Sequence, residues 1–131
     1  DWSSDVCSSD LRYNNWKVSR TTYFQNNFPR LPVSVSPRLR IPLFWLGFKN
    51  FSYSFFKKLI KDTLEKDKYV HLYFHPWEFT PITSYSLPWY ISKDSGQRLL
   101  DKLQRLIIDL KKEGDFLTTK DFLIEKKMLT V

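Results

Sequence analysis

The only two histidines of the chain lie in one short run, His71-Leu72-Tyr73-Phe74-His75-Pro76-Trp77-Glu78-Phe79. Imidazole titrates near neutrality, so either ring is a candidate general acid or base. A shared metal is the first alternative to weigh. His-x-x-x-His binds one ion when it lies on a helix, where residues four apart are neighbours. Here the alternating pattern reads as a strand, and four strand residues span roughly 13 Å. One zinc ion needs each nitrogen at about 2.0–2.1 Å. An extended His71 and His75 therefore cannot share a metal. A single cysteine, Cys7, excludes a disulfide framework and a cysteine-based zinc site within the chain. With glycine only at 47, 96 and 114, there is no glycine-rich phosphate loop.

Each candidate has a plain structural reading beside the chemical one. His75, at a strand end, is either a proton carrier or a histidine bonded to nearby backbone. His71, deeper in the strand, reads as an interior histidine with its hydrogen bonds satisfied. Glu78 is either a site carboxylate or a solvated loop residue. Trp77, Tyr85, Trp89 and Tyr90 either line a sugar groove or cover the open end of a sheet.

The elements that must hold these residues follow from periodicity. Residues 69–74 read as a strand with Val70, Leu72 and Phe74 on one face and His71 and Tyr73 on the other, the face that His75 continues. Pro76 ends it. Upstream, all seven prolines precede Trp89, so residues 12–50 are expected to be extended or looped, with little room for helix. Within that stretch residues 30–36 alternate, with Leu31, Val33 and Val35 on one face, and residues 43–48 read as a buried connection. Ser52 or Ser54 caps a helix running to about Lys66, its apolar stripe being Phe55, Phe56, Leu59, Ile60 and Leu64. Residues 77–93 form an aromatic loop. Asp94 or Ser95 caps a second helix running to about Glu113 and stopped by Gly114. Phe116 and Leu117 suggest a short strand, and Thr118 opens a last short helix. The alternation of helix and strand predicts an α/β fold with parallel strands.

The 131 residues are one domain's worth of chain, and no apolar run approaches the ~20 residues of a membrane-spanning helix. Residues 1–11 have neither periodicity nor signal-peptide design and resemble the translation of a sequencing adapter, so they are set aside as a non-native scar. Without their three acids the balance is 21 bases against 11 acids, a charge of +10. That charge and the 18% aromatic content raise a nucleic-acid-binding module as an alternative. Against it, the bases are scattered over the wet faces of the predicted helices.

The run Tyr73-Phe74-His75-Pro76-Trp77-Glu78 resembles the last motif in one branch of the polysaccharide deacetylase (NodB-homology) family. Leu31-Pro32-Val33-Ser34-Val35 is similar to that family's Pro-Val-Ser strand. The tail is similar too: a glycine, a leucine-rich helix, a phenylalanine-containing strand, then Thr118-Thr119-x-Asp121-Phe122-Leu123. The resemblance spans residues 30–123. It implies a distorted (β/α)7 barrel and hydrolysis of acetyl groups from a glycan with a divalent metal, usually zinc. It further implies that His75 protonates the leaving group while Tyr73, Trp77 and Glu78 contact substrate. Tyr73 departs from the leucine common in the family at that position, which alters the acetyl pocket.

The family's Asp-Asp motif and helical His-x-x-x-His metal motif do not occur in this sequence. A barrel of this kind normally needs 200 or more residues. The expectation is therefore the C-terminal part of a catalytic domain over residues 12–131, binding no catalytic metal and inactive alone, with exposed strand edges and poor solubility. A noncatalytic glycan-binding domain is the other alternative. No residue decides between cytoplasm and cell envelope.

Overall fold

Ser34 ties three stretches of chain together. Its N–H donates to the His71 carbonyl (3.0 Å), its hydroxyl accepts from the His71 N–H (2.8 Å), and its carbonyl accepts from the Leu43 N–H (2.8 Å). The computed structural model describes residues 19–82 and 85–130. The adapter-like segment 1–11 and Cys7 lie outside them.

The chain first forms an antiparallel hairpin, β1 (Tyr23–Gln25) with β2 (Phe28–Arg30). Asn26 and Asn27 both take positive φ, 51° and 63°, as the commonest two-residue hairpin turn requires. Arg20 pairs with Asp67 at 2.5 Å, and the Thr22 N–H donates to the Tyr69 hydroxyl (2.8 Å), which ties the hairpin to the end of α2 below.

The strand expected over 30–36 is not there: β2 ends at Arg30, and beyond it only Val35 makes a bridge, to Pro42. The inward face is also the opposite one. Ser34 and Ser36 are buried, because their polar groups bond the backbone of Leu43, His71, Ile41 and Arg40. Residues 43–48 are not a simple connection either. Phe44 forms a parallel bridge with Tyr73, the Trp45 N–H donates to the Tyr73 carbonyl (2.9 Å), and the chain then coils into α1 (Trp45–Asn50). This corrects the expectation of little helix before residue 50. It also explains why 69–74 is extended without being a regular strand: its parallel partner becomes helical one residue past the bridge, and Pro32 and Pro42 have no N–H to give. Val70, Leu72 and Phe74 do face the core as expected.

α2 (Tyr53–Asp67) is capped by Ser52, whose hydroxyl accepts from the Phe55 N–H, and ends at Lys68 in the left-handed region (φ 67°). Phe56, Leu59 and Ile60 are buried, but Phe55 is exposed and packs edge-on against Phe51. Thr63 takes the remaining buried position and spends its hydroxyl on the Leu59 carbonyl (2.7 Å). The aromatic loop contains a 3-10 turn, Pro76–Phe79, and one short helix, α3 (Trp89–Ser92). α4 (Gln97–Leu110) starts from Gly96 at φ 72°, not from Asp94 or Ser95. Asp94 itself has positive φ, and the Ser95 hydroxyl turns back to the Ser92 carbonyl (3.0 Å). Gly114 donates its N–H to Leu110 as a stop should. Phe116 and Leu117 pair with no strand among the described residues and stand exposed, while Thr118 caps α5 (Thr119–Glu125) as the sequence indicates.

The core is Leu43, Phe48, Phe56, Leu59, Ile60, Leu99, Leu106 and Leu110, drawn from α1, α2, α4 and the bridge segment. The architecture is mixed, helices with a small sheet, and so broadly α/β. Leu100, Ile107 and Ile108 of α4 face solvent. Among the described residues no helix is long and apolar enough to cross a membrane.

α2 is also tied to α4 by charge. Asp109 accepts from Lys57 and from the Tyr53 hydroxyl, both at 2.7 Å. These bonds pull its carboxyl down to about 2, and burial beside the carboxylate pushes the Tyr53 phenol up to about 12. A depressed carboxyl stabilises the fold fully above the ordinary Asp value near ~4 and loses that effect as pH falls towards 2. Urea midpoints should therefore drop between those limits, and Asp109→Asn should lower the midpoint at neutral pH and flatten that drop.

Candidate proton-transfer site

The bridge at Tyr73 fixes the backbone two residues before His75, and Pro76 then forces the 3-10 turn. That turn brings Glu78 back under His75. The Glu78 Oε1 atom lies 2.7 Å from His75 Nδ1 and accepts from the His75 N–H at 3.1 Å. On the other side of the ring, Nε2 lies 2.7 Å from the Tyr73 hydroxyl. A carboxylate only accepts, so in the neutral ring Nδ1 carries the proton and Nε2 accepts from Tyr73.

Aromatic rings enclose this imidazole. Trp77 stacks on it at 5.5 Å and 18°, Trp45 approaches at 5.8 Å, and Trp45 meets Trp77 edge-on at 5.7 Å. The His75 side chain keeps 29% of its surface exposed, whereas that of Glu78 keeps none. Burial pushes the Glu78 carboxyl up; the bonds from His75 and the charge of Lys49 pull against that rise. Its second oxygen, Oε2, is buried and meets no hydrogen-bond donor among the described residues. The Glu78 carbonyl accepts from Gly96, so the start of α4 clamps the turn (3.0 Å).

The structure thus gathers His75, Tyr73, Trp77 and Glu78 at one place. Glu78 is not a solvated loop carboxylate, and Tyr73 reaches the outer nitrogen of His75, Nε2, through its hydroxyl. His71 is held apart from the site, its Nδ1 on the Pro32 carbonyl at 3.1 Å. Trp89 and Tyr90 are exposed and pair with each other at 6.3 Å, and Tyr85 is exposed as well. The sequence reading missed Trp45 and Lys49. Both sit in a stretch read as extended, and only the helix at Trp45–Asn50 turns them towards His75.

Among the described residues no group of three or more His, Cys, Asp or Glu is arranged to hold a metal ion. Both ring nitrogens of His75 already face protein partners. These residues do not fit a metal centre. What they fit is storage and delivery of one proton: a partly exposed imidazole oriented by a carboxylate, with its outer nitrogen on a tyrosine hydroxyl. No protein-family profile matches the chain, no curated protein matches it, and no solved structure matches it.

Removing the Tyr73 hydroxyl should open Nε2. Tyr73→Phe is expected to speed acylation of His75 by diethyl pyrocarbonate about 2- to 10-fold, the worth of one hydrogen bond. Peptide mass spectrometry reads His75 and His71 separately, and His71 should be unchanged.

Proposed function

We propose that this chain is the C-terminal part of a polysaccharide deacetylase, in which His75 protonates the group that leaves when an acetyl is cut from a glycan. The observation that carries the reading is the His75–Glu78 pair with its outer nitrogen under Tyr73, in a motif that resembles the family's last one. In the imidazolium form Nε2 carries the second proton, which passes to the departing amine or hydroxyl oxygen, directly once the Tyr73 hydroxyl moves aside or through that hydroxyl, and leaves the neutral ring with its Nδ1 proton on Glu78. Glu78 stabilises the imidazolium while it waits. Trp77, 42% exposed, offers a flat apolar face beside the ring for a sugar.

In this proposal the complete domain is a distorted (β/α)7 barrel. The divalent metal, zinc by the resemblance, belongs to Asp-Asp and His-x-x-x-His motifs encoded upstream, and no step above passes through it. The partner is an acetylated glycan, and no nucleic acid is part of the reading. One observation favours a second reading, a noncatalytic glycan-binding domain: Trp89, Tyr85 and Tyr90 stand 70%, 67% and 43% exposed, as stacking platforms do.

The test is to recover the upstream reading frame and assay the complete protein, supplied with zinc, for acetate released from N-acetylated glycans. Both missing motifs should be encoded there. His75→Gln should cut turnover about 10²- to 10⁴-fold while glycan binding persists. An upstream frame with neither motif, or a variant as fast as the parent, overturns the proposal. Binding without acetate release supports the second reading.

A further inference from the structure

Lys49 is a buried charge that the proton-transfer scheme does not use. It is 1% exposed and lies on α1 facing the His75 site. Its Nζ donates to the Ile91 carbonyl of α3 at 2.5 Å and sits over the rings of Trp45 (5.6 Å) and Trp77 (5.9 Å). Those two rings are the ones that enclose His75. An ammonium is taken out of water only where something answers its charge. One carbonyl and two ring faces answer part of it. Trp77 carries the link to Glu78, the next residue of the 3-10 turn: Glu78 is a fully buried carboxyl whose hydrogen bonds all fall on one oxygen, and Lys49 acts on it by charge across this cluster, not as a contact ion pair.

We propose that Lys49 is a positioning residue for the His75–Glu78 pair: its buried ammonium is the fixed cation that keeps Glu78 a carboxylate and holds Trp45 and Trp77 as walls around the imidazole. Its effect on turnover rests on the deacetylase reading; its effect on Glu78 does not. The charged groups on this cluster come from three elements. Glu78 lies on the 3-10 turn with His75 at its entrance, Lys49 on α1, and Asp94 before α4 also acts on Lys49. Lys102 of α4 is engaged elsewhere, on the Phe48 and Phe51 carbonyls at the end of α1. Burial lowers the Lys49 ammonium while Glu78 and Asp94 support it, the counterpart of burial raising Glu78 while Lys49 restrains it.

The test uses the full chain with carbon-13 and nitrogen-15 labels and follows the Glu78 carboxyl resonance with pH. Lys49→Met keeps the length of the side chain and removes the charge; the Glu78 midpoint should rise by about one pH unit or more, a tenfold change in proton affinity. Lys49→Arg, which keeps the charge, should stay near the parent. A role in packing or in the Ile91 bond alone predicts no movement of Glu78 in Lys49→Met, and that result overturns the proposal. Should Lys49→Met not fold, the reciprocal measurement decides. The Lys49 ammonium titration should fall in Glu78→Gln relative to the parent, and an unchanged titration refutes the coupling. Neither readout needs turnover, so the coupling and the deacetylase reading can fail separately.

Discussion

A carboxyl group with no exposed surface must be answered by donors and by charge, and Glu78 is such a group. Two bonds from His75 meet one of its oxygens, and the support we propose for the rest is the charge of Lys49, whose buried ammonium lies against Trp77. Much of the surrounding structure follows from that need. The 3-10 turn has to fold Glu78 back onto His75, α1 has to carry Lys49 inward, and the rings of Trp45 and Trp77 have to cover the Lys49 ammonium and the His75 ring. Removing the Lys49 charge would leave Glu78 with the His75 bonds alone.

The rest of the fold serves as a frame for this cluster. Ser34 and the Phe44–Tyr73 bridge hold the extended segment that ends at His75. Gly96 grips the Glu78 carbonyl, so α4 cannot move on its apolar stripe without disturbing the turn. Lys102 bonds the carbonyls at the end of α1, the helix that carries Lys49. Packing energy from Phe48, Phe56, Leu99 and Leu106 therefore fixes the geometry of polar groups a short distance away. The link from packing to chemistry is direct because α1 contributes to both.

The chain showed some of this plainly and hid the rest. α2, its Ser52 cap and the inward face of Val70, Leu72 and Phe74 are legible because side-chain periodicity reports burial. The motif at 73–78 is legible as chemistry because imidazole, phenol and carboxyl types cluster within six residues. What stayed hidden depends on contacts far along the sequence. The buried faces of Ser34 and Ser36 read as polar and outward until the backbone of 41–43 and 71 supplies partners. α1 is masked by flanking prolines and aromatics, and with it Lys49, whose type argues for solvent. The hairpin turn at Asn26-Asn27 was present in the sequence as a two-residue signal, and a stretch rich in prolines obscured it.

The claim that organises the site is that His75 holds its Nδ1 proton against a buried carboxylate. Low-temperature proton spectra of the labelled chain read that proton directly. The account predicts a far-downfield signal coupled to His75 Nδ1, protected from exchange with water and lost in Glu78→Gln. An Nδ1 proton that exchanges as fast as that of free imidazole, or a neutral ring protonated on Nε2, would contradict it.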